Sequence, residues 1–571
     1  MSTLVIAPLL VALVTAILTL LTRPSDILQR TVSVLGAIGY LVAVGALFDA
    51  VLLPLGSTPD ILVYQVGNWT APFGITLVAD GLSAFMLALS AIVSLVALAY
   101  SVASVGAFGQ RLSYHPLYHF MMVGVTGSFL TGDIFNLFVW FEVMLMSSYI
   151  LVLFYSGREH TRAALNYVVL NLVGSAVMLI AIGGLYSTTG TLNMAHMAQL
   201  LANPDPHDVA VLPVLGLSAV LFSVFALKAG LAPFQFWVPA AYRAAPSPVT
   251  AMLAGVVKKV GVYAIIRLIF TIFAAGSFDL AFLGITGDSV LGFFGPVLFV
   301  MATASIFLGG IGAVGRDDID GILAYSSISQ VGFIVLPLAI AATAPTEAIQ
   351  VLGVAAALVY AFNHGLAKSL LFLASGTIQD VVGSDRLSDL GGLADRAPVL
   401  AAGFFLGSLT LIGVPPLSGF FGKYLVFQAG AESLAAGGAG AALALAVALA
   451  GAILTIAYYT RAWNAVFWGR PSELVDVALP ARWTIGGKDV AMTDGGDGLD
   501  RLELTTQVTA VAILAVAAIG FGIGFEAVFA AADAAAHAAT DTNTYVDAVM
   551  HGPGIGADAG THAGSGTGGG H

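Results

Sequence analysis

With 58% hydrophobic and only 9% charged positions over 571 residues, and a mean hydropathy of +0.96, the chain is too apolar to be a soluble domain of useful size. Its net charge of −12, from 32 acidic against 20 basic residues, argues against a nucleic-acid-binding surface and against basic attraction to anionic lipid. It has no cysteine, which excludes disulfides and thiolate metal sites.

A spanning helix needs about 20 apolar residues. About fourteen such segments can be counted, centred near residues 12, 43, 89, 122, 144, 175, 222, 260, 301, 331, 363, 414, 455 and 518. The first follows Met-Ser-Thr with neither a basic lead nor a small-residue cleavage site, so it reads as a retained helix. Basic residues fall in alternate loops: Arg23 and Arg30, Arg111, Arg158 and Arg162, Arg243, Arg316, Arg386 and Arg396, then Arg470, Arg482, Lys488 and Arg501. Cytoplasmic loops are the ones rich in Lys and Arg. These odd-numbered loops are therefore expected inside and both termini outside. Arg267, toward the outer end of the eighth span, fits less well and is expected to snorkel to the outer interface.

Along the chain, the first chemically unusual residue is Glu142, about ten residues into the fifth span and so near mid-bilayer. A carboxylate at that depth calls for a cationic partner, and Lys228 is the natural one, the geometry of the pair gating proton transfer. Five of the six lysines, Lys228, Lys258, Lys259, Lys368 and Lys423, lie inside apolar runs. An ammonium at mid-bilayer costs roughly 2.5 to 3.5 kcal/mol on insertion scales and is a group that can exchange its proton, so the row reads as a proton path. Lys228 in FALKAGLAPFQFWVP and Lys423 in GVPPLSGFFGKYLV each stand beside a Gly/Pro interruption of an apolar helix. Paired broken helices running in opposite directions mark the ion sites of many transporters.

Lys258 and Lys259 differ by about 100° around their helix axis, so only one can face a central path. His364 and Lys368 are spaced i, i+4 and share a face, where imidazole can relay protons. The tail from about residue 532 is Ala/Gly-rich without periodicity and reads as disordered. A metal site from its His537, His551, His562 and His571 is the less favoured reading.

DIFNLFVWFEVMLMSSYILV, the stretch from FALKAGLAPF to KKVGVYAIIR, LAYSSISQVGF, NHGLAKSLLFLASG and GVPPLSGFFGKYLV together resemble the antiporter-like subunits of Mrp cation/proton antiporters and respiratory complex I. The likeness spans roughly residues 65 to 470 and is strongest to the D-type Mrp subunits. It implies that Glu142, Lys228, Lys259, His364 or Lys368, and Lys423 correspond to the family's proton-transfer residues. Lys259, directly before Val-Gly, matches the family lysine better than Lys258, which has no assigned role, and Lys259 is expected to point toward the seventh span with Lys258 directed elsewhere. The chain departs from the family at Asp318-Ile319-Asp320-Gly321, where basic residues are usual. Lys423 argues against the M-type complex I subunit, with glutamate there, but leaves the N-type open.

The expected fold is an all-α polytopic membrane protein with two inverted repeats of about five helices each and broken seventh and twelfth helices. Its expected parts are an N-terminal unit (1–110), a first repeat (111–275), a second repeat (276–470), a loop with the last span (471–531) and the tail (532–571). The expected function is the proton path of a multi-subunit Na⁺ or Li⁺/proton antiporter in a prokaryotic cell membrane, a transporter subunit without cofactor or bound metal. Its partners would be other membrane subunits and lipids, not nucleic acid. No oxygen-ligand cage for Na⁺ stands out. The alternative is a proton-pumping subunit of an NADH:quinone oxidoreductase or a membrane-bound hydrogenase.

Overall fold

The computed structural model describes residues 2–56, 58–106, 109–155, 157–277, 289–480 and 501–552. Helices dominate: α1 (Ala7–Leu21), α2 (Asp26–Leu52), α3 (Gly81–Ser104), α4 (His115–Leu130), α5 (Ile134–Val152), α6 (Arg158–Thr189), α7 (Val211–Ala229) and α8 (Trp237–Ala244). A segmented run comes next, α9 (Ser247–Met252) and α10 (Lys258–Ile265), joined by a π turn over Leu253–Val257 and extended by another over Ile266–Ile272. Then come α11 (Val290–Val314), α12 (Ile319–Ala342), α13 (Glu347–Val382), α14 (Pro398–Ile412), α15 (Ser418–Ala435), α16 (Ala441–Val466), α17 (Arg501–Ile523), α18 (Phe525–Thr540) and α19 (Thr542–His551). The strands β1 (Leu62–Gln65) and β2 (Thr76–Ala79) form an antiparallel hairpin between α2 and α3.

Helix starts are set by side-chain caps that accept an otherwise orphaned amide. Asp80 caps α3 through the Ser83 amide (3.0 Å), Asp133 caps α5 through Asn136 (2.7 Å), and Asp318 caps α12 through Gly321 (2.5 Å). Ten described helices are long and apolar enough to cross a membrane. The remaining expected spans, near residues 12, 122, 260 and 414, fall on α1 and α4, which are short, on the π-interrupted run, and on the break between α14 and α15. In α12, α13 and α3, 94%, 89% and 78% of the spanning window is buried, against 28% in α2 and 39% in α16. The first three are therefore the core, and α2 and α16 lie at the periphery.

Loop contacts sort the two ends of the bundle. Arg30 donates to Gln110, His160 meets the Ala244 carbonyl, Arg243 pairs with Asp318, and Arg396 pairs with Asp476. The odd-numbered loops thus gather at one end; Arg482 and Lys488 lie outside the described residues. At the other end, Leu77 bridges to Thr131 and Asp133 to Asn193.

Two expectations fail here. Residues 532–551, read as disordered, belong to α18 and α19. Their alanines are small enough to pack closely: Ala535 lies 3.1 Å from where a Cβ on Gly81 would stand, Thr271 donates to the Ala539 carbonyl and Thr542 to the Thr271 carbonyl. Alanine-rich composition here is strong helix propensity with a small-residue interface. His537 and His551 sit one turn from Asp533 and Asp547, and no metal-binding group of three side chains occurs among the described residues. His562 and His571 lie outside them.

Arg267 does not snorkel. It is 1% exposed and its guanidinium holds both carboxylate oxygens of Asp80 at 2.7 and 2.6 Å, with Tyr545 of α19 stacked 4.8 Å away. A buried arginine is tolerable in this form because its charge is paired, with one guanidinium nitrogen, Nη2, donating to both Asp80 oxygens, and its face is covered by a ring.

Candidate functional site

All five lysines singled out from the sequence are buried, from 0% exposed for Lys258 and Lys368 to 7% for Lys423. They line a band of polar groups through the core.

At one end, α7 stops at Gly230, whose φ of 70° favours glycine, and α8 resumes at Trp237. Lys228, in the last turn of α7, donates to the Tyr167 hydroxyl (3.4 Å) and faces the rings of Tyr167 and Trp237 at 5.6 and 6.0 Å. The expected ion pair with Glu142 is not formed. Glu142 is half-buried and accepts from Ser175, two helical turns from Tyr167 on α6. Sequence distance could not place the two heads, because α6 inserts its hydroxyls between α5 and α7.

The centre of the band depends on close backbone approach. A Cβ on Gly255 would lie 3.2 Å from the Gly365 carbonyl, and one on Gly261 would lie 2.7 Å from both the Ala229 amide and the Phe225 carbonyl. These glycines let the π-interrupted run touch α13 on one side and α7 on the other. A π turn adds a residue per turn and re-aims the side chains after it, as is common at functional sites. Lys259 consequently points at α13, its Nζ 2.6 Å from His364 Nδ1 and 2.6 Å from the Ala254 carbonyl. It was expected to face the α7 side. Lys258 faces that side instead, toward Gly230 and the Tyr242 ring, so both lysines of the pair meet the band, on different neighbours, where only one was expected to. Gly261→Ala should therefore cost about 1–3 kcal/mol by overpacking against backbone that cannot yield, measurable as a lower Tm of the detergent-solubilised protein. An unchanged Tm would show that α7 moves freely here.

His364 and Lys368 occupy one face of α13, as their spacing requires, yet their heads serve different neighbours. Lys368 turns to α12 and α16, donating to the Leu323 carbonyl (2.9 Å), the Ser326 hydroxyl and the Tyr459 hydroxyl (3.1 Å). Beyond it lies a cluster that sequence reading missed. Gln330 donates to Thr455 (3.1 Å) and Tyr458 (3.0 Å) and accepts from Tyr360. A lone glutamine and scattered tyrosines carry no sequence signal; the YSSISQ run was the only hint. Tyr360 stacks on Phe333, centroids 5.5 Å apart, and Lys423 sits 5.2 Å from the same Phe333 ring.

Lys423 closes the row at the second break, where Gly413 has φ 91° between α14 and α15. Its Nζ donates 2.9 Å to the carbonyl of Ile412, an acceptor freed by the interruption. Asn363 ties the break to α13 by donating to the Ser418 carbonyl (2.8 Å). At the loop end, Asp320 is held by Ser375 (2.6 Å) and Gln379 (3.0 Å), so the 318–321 stretch presents a carboxylate bound to α13.

A polytopic helical bundle with two broken helices and a buried row of lysines defines an ion-translocating membrane subunit. Residues 131–447 match the model of the NADH:quinone oxidoreductase/Mrp antiporter transmembrane family, and the chain belongs to that family. It is 36% identical over 482 residues to the D-type Na⁺/H⁺ antiporter subunit of Alkalihalophilus pseudofirmus, covering 84% of this chain and 90% of that one. Identity to the corresponding D-type subunit of Bacillus subtilis is 32% over 473 residues, 83% and 88% of the two chains. Among solved structures, a chain of the Mrp complex from Dietzia sp. superposes with a TM-score of 0.78 at 29% identity, covering 96% of this chain and all of that one.

Proposed function

We propose that this chain is the proton-carrying subunit of a multi-subunit Na⁺ or Li⁺/proton antiporter in a prokaryotic cell membrane, a transporter subunit and not a catalytic enzyme. The end that gathers Arg243, Arg316 and Arg396 faces the cytoplasm and both termini face out. Residues 111–275 and 276–470 are its two inverted repeats, and its partners are further membrane subunits and lipid. The observation that carries this reading is the 2.6 Å contact between Lys259 Nζ and His364 Nδ1. Two bases sharing one hydrogen bond in a buried interior cannot both be charged at low cost, so the shared proton rests on one or the other and can be handed across. Lys228, Lys368 and Lys423 extend the row on either side. Glu142 and Lys228, apart in this conformation, are two ends of a gate that closes through Tyr167 and Ser175.

In vesicles carrying the assembled complex, Lys228→Ala and Glu142→Gln should each abolish Na⁺-driven proton movement while subunit stoichiometry is kept. Wild-type rates in Glu142→Gln from neutral to alkaline pH would remove the gate. Purification of the native complex tests the wider reading: iron–sulfur or flavin subunits beside this chain would replace antiport by redox-driven pumping.

A further inference from the structure

We propose that Lys258 is a proton station joining the Lys228 end of the row to its centre. The inference rests on the proton-path reading above and adds a residue that the family resemblance leaves without a role.

Three independent features of its surroundings support it. The first is position relative to the helix break. A Cβ on Gly230 would lie 3.0 Å from Lys258 Cε and 3.1 Å from its Nζ, and a Cβ on Gly413 would lie 3.0 Å from Lys423 Cδ. Each interrupted helix therefore has its left-handed glycine against a lysine stem, and at the first break that lysine is Lys258, contributed by a neighbouring helix. Lys228, the lysine beside the break in sequence, turns instead to Tyr167 and Trp237.

The second is continuity. Lys258 Nζ lies 5.9 Å from the centroid of the Tyr242 ring, which contacts the Trp237 ring (6.2 Å) that faces Lys228. On its other side it donates to the Ser327 carbonyl at 3.4 Å, one residue from the Ser326 hydroxyl held by Lys368. Lys258 thus stands between the Tyr242 ring, which packs on the Trp237 ring facing Lys228, and the backbone beside Lys368.

The third is under-coordination. A protonated lysine has three N–H donors, and Lys258 has one long protein acceptor. Around it the Tyr242 hydroxyl and the Ser327 hydroxyl, both buried, hydrogen-bond no protein atom. Buried polar groups are nearly always paired. Donor and acceptor sites left open around one amine suit a group that takes up and releases a proton, and would be wasted on a permanent structural charge. The transfer is balanced: the incoming proton binds the free amine lone pair, and the outgoing one leaves an ammonium N–H toward the Ser326–Lys368 side.

The test is Na⁺-driven proton movement by the complete complex in vesicles with Lys258→Ala, Lys258→Arg and Lys258→His, each checked for subunit stoichiometry. Alanine and arginine should slow transport by about a hundredfold or more, the scale of a lost acid–base group. Histidine should keep a tenth or more, since it can still exchange a proton where arginine cannot. Wild-type rates in Lys258→Ala would overturn the proposal. Equal activity of arginine and wild type would also overturn it, by showing a fixed charge; so would histidine as slow as alanine. If alanine blocks assembly, the ratio of histidine to arginine decides alone. A wild-type complex that moves no protons with Na⁺ would sink the antiporter reading instead, and the two failures are told apart by that control.

Discussion

Lys259→Ala should reduce Na⁺-driven proton movement by at least about a hundredfold, the magnitude expected when a proton-transfer group is removed. The loss has two parts. Lys259 makes the side-chain contact to His364 Nδ1, and His364 Nε2 has no protein partner, so truncation leaves the imidazole buried with neither nitrogen bonded. It also removes one of two bases that pass a proton across the meeting of α10 and α13. Lys259→Arg separates these effects: it restores a cation able to donate to His364 but cannot give up its proton. Arginine should rescue assembly without rescuing transport, and His364→Gln, which keeps a hydrogen-bonding side chain but does not titrate, should behave likewise. Transport by Lys259→Arg at near the wild-type rate would mark the contact as structural.

Much of the fold was legible because a bilayer imposes length and apolarity on each span and sorts basic loops to one side. The break after Lys228 and the break before Lys423 were readable from Gly and Pro, whose backbone restrictions are local. What failed depended on neighbours. The 100° between Lys258 and Lys259 comes from helix geometry, but which of them meets α13 is set by Gly255, Gly261 and the π turn between α9 and α10. Arg267 was misplaced because its partner, Asp80, is 187 residues away, and nothing local announces an ion pair across that span. Residues 532–551 were misread because alanine and glycine serve both low-complexity coil and tightly packed helix. Here Gly81 and the Thr271 contacts decide for the helix.

The row ends at Lys423, and the chemistry of its replacement separates a proton station from a fixed charge. The break at Gly413 frees the Ile412 carbonyl, which binds Nζ, and Phe333 with Tyr360 and Gln330 links this lysine to the hydroxyl cluster beyond Lys368. Lys423→Ala should stop turnover, because the cluster then has no acceptor on the far side of Phe333. Lys423→Glu should retain part of it, since a carboxyl group can also carry a proton, although the Ile412 carbonyl, an acceptor, favours the protonated form. Arginine reaches the same carbonyl and the same ring but keeps its proton, so Lys423→Arg should be as slow as alanine. The ordering of glutamate above arginine is the discriminating result in a vesicle assay. A fixed positive charge would reverse it, with arginine near wild type and glutamate inactive, and the row would then end at Lys368 and Tyr459.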